Sequence, residues 1–152
     1  MNRKIIITPE GYLILKKKIA RLEEAKKETA QRLSLAGLDS DLSENSDFLI
    51  LDAKNQDLHK QIEEDKNYLE RAKIVQKSKD KSLIGLGSIV IYKILNTGEE
   101  KIVVMTDAIE ANPPKKISIY SPLGENLLGR KVGDIFNSHG GDKYQFQILE
   151  IK

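Results

Sequence analysis

The residues best placed to do chemistry are Asp41 and Glu44, in the run Asp41-Leu42-Ser43-Glu44-Asn45. Around them, residues 39–47 hold four acids, Asp39, Asp41, Glu44 and Asp47, and no base. Paired carboxylates suit a hard divalent cation such as Mg²⁺, which takes oxygen ligands and often shares one or two carboxylates with substrate phosphates. Two carboxylates cannot enclose such an ion, but they can complete a site that another macromolecule half-builds. The chemistry that fits is two-metal phosphodiester hydrolysis. The same residues also read as a helix start, because Asp-x-x-Glu ahead of an apolar-periodic run is capping-box-like. A calcium loop is excluded: Glu44 stands where its glycine belongs and Ile50 where its bidentate glutamate belongs.

No other constellation competes. The chain has no cysteine, so neither a disulfide framework nor a thiolate metal site is expected. His59 and His139 stand far apart without ligand spacing around them. Nothing supplies a complete metal cage, a histidine base or a nucleophile constellation, which argues against a stand-alone nuclease.

The elements that must position Asp41 and Glu44 are two helices. Tyr12, Leu15, Ile19, Leu22, Lys26, Thr29, Leu33 and Ala36 recur in steps of three and four. A second series runs Phe48, Leu51, Asn55, Leu58, Ile62, Asp65, Leu69 and Ala72. This is the narrow stripe of a coiled-coil seam, and the remaining positions are mostly charged or amidated. Thr8-Pro9-Glu10-Gly11 is a helix start, with Thr8 as cap and Pro9 at the first helical position. Gly37 and the polar run to Ser46 interrupt the pattern. The reading is an antiparallel hairpin whose arms of roughly 30 residues project about 45 Å.

The chain of 152 residues is 39% hydrophobic, 32% charged and 5% aromatic, a mixture that suits long solvated helices. The net charge of +2 does not itself argue for nucleic acid. Locally, Lys16, Lys17, Lys18, Arg21, Lys26, Lys27 and Arg32 place seven bases against three acids on the first arm. That is either a solvated helix face or a phosphate-attracting patch. No stretch approaches the ~20 apolar residues of a membrane span, and the N-terminal apolar run is too short for a signal peptide, so a cytoplasmic protein is expected.

After about Ser78 the character changes. Short β-rich runs are separated by turns at Asn96-Thr97-Gly98, at ANPPKK and at Gly140-Gly141-Asp142. The stretch ENLLGRKVGD reads as one short helix ending at Gly129. The expected organisation is α+β: residues 1–77 as the hairpin with its acidic tip at 39–47, 78–82 as a linker, and 83–152 as a small, mostly antiparallel β-rich domain.

Ser40-Asp41-Leu42-Ser43-Glu44-Asn45-Ser46-Asp47-Phe48 resembles the hairpin-tip motif of the GreA/GreB transcript-cleavage factors, which usually reads Gly-Asp-Leu-x-Glu-Asn-Ala-Glu-Tyr. Ile117-Ser118-Ile119-Tyr120-Ser121-Pro122-Leu123-Gly124, Leu127-Leu128-Gly129 and Gly133-Asp134 resemble motifs of the same family, as does Thr8-Pro9-Glu10-Gly11-Tyr12. The resemblance covers nearly the whole chain and is closer to the GreA branch. It implies an FKBP-like C-terminal domain, without isomerase activity, that docks on bacterial RNA polymerase at the rim of the secondary channel. The hairpin then enters that channel and meets the protruding RNA 3′ end of a backtracked complex. It implies that Asp41 and Glu44 help hold the second Mg²⁺ of the polymerase, that Ser43, Asn45 and Phe48 support the tip, and that the polymerase cuts the RNA. The factor would then be no enzyme and have no cofactor of its own.

Lys16, Lys18, Arg21, Lys26, Lys27 and Arg32 become candidates for RNA contact. Ser121, Pro122, Leu123, Gly124, Leu127 and Leu128 become candidates for polymerase docking. DNA binding, a monomeric state and no membrane association accompany the resemblance as expectations. Departures from the motif are Ser40, Ser46, Phe48, the large residues Ile50 and Leu51, the added acid Asp39, and Asp52 at a position that is frequently basic. Two rival readings remain: an inhibitor of the same architecture, suggested by the additional acids, and a coiled-coil adaptor or chaperone in which the tip acids are only caps.

Overall fold

The computed structural model describes residues 4–36, 46–138 and 144–152. These divide into two units, one formed by residues 1–5 and 13–72 and the other by 6–12 and 73–152.

The first unit is built on α1 (Pro9–Ala36) and α2 (Ser46–Arg71), whose rise gives lengths of about 42 and 39 Å. Thr8 caps α1 as expected: its Oγ1 accepts from the Gly11 amide at 2.9 Å, and its carbonyl accepts from Tyr12 N. The buried residues follow the anticipated stripe. Leu15, Ile19, Thr29, Leu58 and Ile62 are buried, and every other member of the two series is partly buried. Most of the charged positions between them face solvent, as the narrowness of the stripe requires.

Two short strands, β1 (Ile5–Ile7) and β2 (Ala72–Ile74), pair as a two-stranded sheet that the hydrophobic pattern did not announce.

The second unit holds a five-stranded sheet of β3 (Ile89–Ile94), β4 (Glu100–Thr106), β5 (Lys116–Ser118), β6 (Ile135–Asn137) and β7 (Gln145–Ile151), in the order β5-β4-β3-β7-β6. Three of its pairings are antiparallel, whereas β5 runs parallel to β4 with Met105 opposite Ile117. The sheet is therefore mixed. The ANPPKK segment makes a tight turn closed by Asn112 and Lys116, which exchange backbone hydrogen bonds, and it contains the cis bond Pro113–Pro114. The β3–β7 register shifts between Ile91 and Tyr92, the kind of irregularity that increases local twist.

Alternate residues of the sheet point into one core made by Val90, Tyr92, Val103, Met105, Phe136 and Ile148. Leu127, on the short helix α3 (Pro122–Leu127), closes it. Phe146 meets Tyr92 and Phe136 edge-on at 5.3 and 5.4 Å, and burial pushes the Tyr92 hydroxyl pKa up.

The helix α3 corrects the sequence reading, which began it at Glu125. Ser121 Oγ accepts from Gly124 N at 3.1 Å and Pro122 takes the first position, the same Ser/Thr-Pro start that opens α1. The helix gives way to Gly129 at a φ of 80°, a left-handed conformation glycine adopts without strain.

Met105 is fully buried. Met105→Ala is expected to cost about 2–5 kcal/mol, measurable as a lower urea midpoint with an unchanged slope.

Candidate functional site

The register of the hairpin decides what its end can present. Contacts that cross from α1 to α2 include Lys18 Nζ to Asp65 Oδ2 at 2.9 Å, Glu23 Oε1 to Lys66 Nζ at 2.8 Å, and Lys26 Nζ to His59 Nδ1 at 2.9 Å. From Lys18 to Lys26 the partner on α2 moves back from Asp65 to His59, so the arms are antiparallel. The hydrogen bond and charge of Glu23 raise the Lys66 pKa.

The same register sets Thr29 level with Asn55 and brings Ala36 opposite Phe48. Thr29 is buried and donates its hydroxyl to Ala25 O at 2.8 Å, so it is satisfied within its own helix. Asn55 presents a buried Oδ1 that accepts no hydrogen bond. Polar groups at a seam lower stability and fix register.

The arms run without interruption to Ala36 and from Ser46. Asp41 and Glu44, with Ser43 and Asn45, fall in the segment between and lie outside the described residues, as do Asp39 and Ser40. Phe48, the remaining tip residue, is partly buried on the first turn of α2, while Leu49 and Ile50 beside it are exposed. Leu35 on the facing arm is 68% exposed. Large apolar side chains therefore stand at the described ends of both arms, on either side of the acidic segment in sequence.

The basic residues of α1 separate into three kinds. Lys18 and Lys26 turn across the seam to Asp65 and His59. Lys16 and Lys27 are exposed and eleven residues apart, and so are Arg21 and Arg32. Eleven residues are close to three full turns. Each pair therefore forms its own ridge, and the two ridges lie on opposite flanks of the seam. Lys17, exposed, stands nearer the arginine ridge.

The six docking candidates also divide. Leu127 and Gly124 are buried; a Cβ on Gly124 would come within 2.0 Å of the Ser118 carbonyl oxygen. Ser121 is spent on capping, its hydroxyl donating to Ser118 O at 2.6 Å, and Leu123 packs partly against the core. Of the six, Pro122 at the start of α3 and Leu128 at its C-cap are exposed, Leu128 by 45%.

Sequence reasoning missed Asp107. It is fully buried, and its carboxylate accepts from Thr8 N, Thr8 Oγ1, Ile109 N and Glu110 N at 2.7–2.9 Å. Its partner Thr8 is 99 positions away, and no local pattern signals such a contact.

A charged two-helix hairpin whose arms bracket an acidic stretch of sequence is joined in one chain to a small mixed-sheet domain. Comparison with known proteins gives this arrangement a name. Residues 5–74 match the family described as Transcription elongation factor, N-terminal, and residues 79–152 match Transcription elongation factor, GreA/GreB, C-term. The Transcription elongation factor GreA of Thermosipho africanus is 37% identical over 156 residues, which is 99% of this chain and 98% of that one. The GreA of Clostridioides difficile is 34% identical over 155 residues, again 99% and 98%. Among solved structures, GreA factor homolog 1 (Gfh1) of Thermus thermophilus is 29% identical, covers 99% of each chain and has a TM-score of 0.47. The chain belongs to the GreA/GreB family of transcription elongation factors.

Removing the unpartnered Asn55 carbonyl should show its cost. Asn55→Leu is expected to stabilise the hairpin by about 1 kcal/mol, read as a higher melting temperature of the helical circular dichroism signal. A lower melting temperature would mean that the amide has a partner in solution.

Proposed function

We propose that this protein enters the secondary channel of bacterial RNA polymerase and stimulates the polymerase's own cleavage of backtracked RNA, releasing arrested complexes. The observation that carries the reading is the pair of uninterrupted arms that end at Ala36 and Ser46 and bracket Asp41 and Glu44. An arm of about 40 Å can deliver two carboxylates into a deep pocket that a globular surface cannot enter.

In this reading Asp41 and Glu44 supply carboxylate oxygens to an Mg²⁺ ion whose other ligands belong to the polymerase and the RNA phosphate. Asp41 and Glu44 are too few ligands to enclose an ion and fit a site shared with another macromolecule. Among the described residues no group of three or more His, Cys, Asp or Glu side chains is arranged to hold a metal. The ion, when bound, supplies Lewis-acid activation of water and neutralises charge at the scissile phosphate. Ser43 and Asn45, next to the carboxylates in sequence, contribute hydrogen-bonding groups, and Phe48 on the first turn of α2 supports the tip. The chain itself is not an enzyme and has no resident cofactor. The second unit docks at the channel rim through the α3 region, with Pro122 and Leu128 as its exposed groups. The factor acts as a monomer in the cytoplasm. Among the described residues no helix is long and apolar enough to cross a membrane.

The deciding experiment measures RNA cleavage in a stalled, backtracked elongation complex with Mg²⁺, with and without the protein. Wild type should accelerate cleavage. Asp41→Asn/Glu44→Gln should lose roughly 100-fold of that rate while still binding polymerase. Binding with suppressed cleavage would replace this reading with an inhibitor, and absence of binding would replace it with an adaptor.

The two basic ridges make a second expectation. Arginine suits phosphate recognition through its planar fork, so the extruded RNA should run along Arg21 and Arg32. Arg21→Gln/Arg32→Gln should lower the salt dependence of half-saturation by roughly one to two in log–log slope. Lys16→Gln/Lys27→Gln should leave that slope nearly unchanged, and the reverse pattern would move the RNA to the other flank.

A further inference from the structure

The buried carboxylate of Asp107 has no part in the tip chemistry, yet it is fully committed. Oδ2 accepts from Thr8 N at 2.7 Å and from Thr8 Oγ1 at 2.9 Å, while Oδ1 accepts from Ile109 N at 2.8 Å and Glu110 N at 2.7 Å. Both Asp107 and Thr8 are 0% exposed. Thr8 Oγ1 also accepts from Gly11 N and contacts Glu110 Oε1. At Gly11 an added Cβ would come within 2.2 Å of Asp107 Oδ2, so the carboxylate lies directly against the helix backbone. Around it, Ile6 N donates to the Tyr120 hydroxyl, Val75 N donates to Ile7 O, and Lys77 Nζ lies 3.8 Å from Glu10 and 4.0 Å from Glu110. All of these residues belong to the second unit.

The first turn of α1 therefore belongs to the second unit, and the same unbroken helix continues to Ala36. A surface helix start needs only a capping side chain. Here a fully buried anion is added, and burying a charge is costly unless every lone pair is used. Four donors from two separate segments use this one. Such an arrangement holds a helix start to a single geometry more strictly than a cap alone would.

We propose that Asp107 is a positioning residue for transcript cleavage: by fixing Thr8 and the glycine turn behind it, it fixes the root of the helix that leads to Asp41 and Glu44. The proposal rests on the tip reading given above. It needs no contact between Asp107 and RNA, metal or polymerase. A reacting group misplaced by about 1 Å can cost on the order of 100-fold in rate, so a loosened root should act at a distance.

Two measurements on the full-length protein test it. Hydrogen exchange of the free factor reads the clamp without reference to cleavage. In Asp107→Asn the amide that replaces one oxygen cannot accept, and Gly11 and Tyr12 should exchange roughly ten times faster or more, with β3 and β4 unchanged. Cleavage titrations in backtracked complexes then read the function. Asp107→Asn and Thr8→Val should lower the maximal rate at saturating factor roughly tenfold, with half-saturation shifted less than about twofold. Thr8→Ser, which keeps the hydroxyl, should restore the wild-type maximum. The Thr8 pair also decides the matter if Asp107→Asn does not fold.

A rise in half-saturation at an unchanged maximal rate would mean only that less protein is folded, and would overturn the proposal. So would a wild-type maximal rate in Thr8→Val. Faster exchange at Gly11 and Tyr12 in Asp107→Asn, together with a wild-type factor that stimulates no cleavage, would instead bring down the tip reading, and the positioning role with it.

Discussion

Two charged helices of about 40 Å can bury only the stripe along which they touch, and the first unit hangs on that stripe. Leu15, Ile19, Leu58 and Ile62 provide most of its fully buried apolar surface. Each such side chain is worth about 1.5–3 kcal/mol on burial, a small sum against the entropy of ordering more than fifty helical residues. The surface ion pairs cannot supply the difference. Glu23–Lys66 lies about half exposed on both sides, where such pairs contribute little. Continuous helix, capping at Thr8 and anchoring of the first turn are therefore needed to keep the hairpin ordered at its root.

The second unit meets a different constraint, that of fitting a helix of six residues onto a sheet. The Ser121 cap, Pro122 at the first position and buried Gly124 let α3 start within van der Waals distance of β5, and that close approach puts Leu127 into the core. The same arrangement leaves Pro122 and Leu128 exposed. Burial and exposure are thus divided within one short motif, which is why Ser-Pro-Leu-Gly and Leu-Leu-Gly could be read from sequence as a region but not residue by residue.

Much of the hairpin was legible because a 3.5-residue repeat leaves its trace at every turn: all sixteen members of the two series are buried or partly buried. The Lys26, Thr29, Asn55 and Asp65 interruptions were visible too: Lys26 and Asp65 carry polar contacts across the seam, Thr29 bonds within its own helix, and Asn55 Oδ1 accepts no bond. What escaped was non-local. The strands β1 and β2 are three residues each, too short for a period to appear. The parallel pairing of β5 depends on a turn whose path the composition does not dictate. Asp107 looked like any acid turning the chain after a strand, because the two donors that tie it to α1 come from Thr8, 99 positions away. The six basic candidates were legible as a cluster, but exposure and helical phase separate them into seam pairs and two ridges. The acids themselves were singled out by type and spacing, and their geometry lies outside the described residues.

The polar interruptions have a mechanical consequence. A seam of aliphatic residues alone would accept a slip of one turn, trading each knob for the next equivalent hole. Such a slip would move one arm end by about 5.4 Å against the other and carry Asp41 and Glu44 away from any partner built to receive them. Lys18–Asp65 and the Thr29–Asn55 level oppose it, because a slipped register would leave the partly buried Asp65 without its lysine. The hairpin therefore gives up some seam stability and obtains in return a fixed register between its arms up to Ala36 and from Ser46, and a fixed register is what a pair of carboxylates between the arms needs if their chemistry is to be completed by another macromolecule.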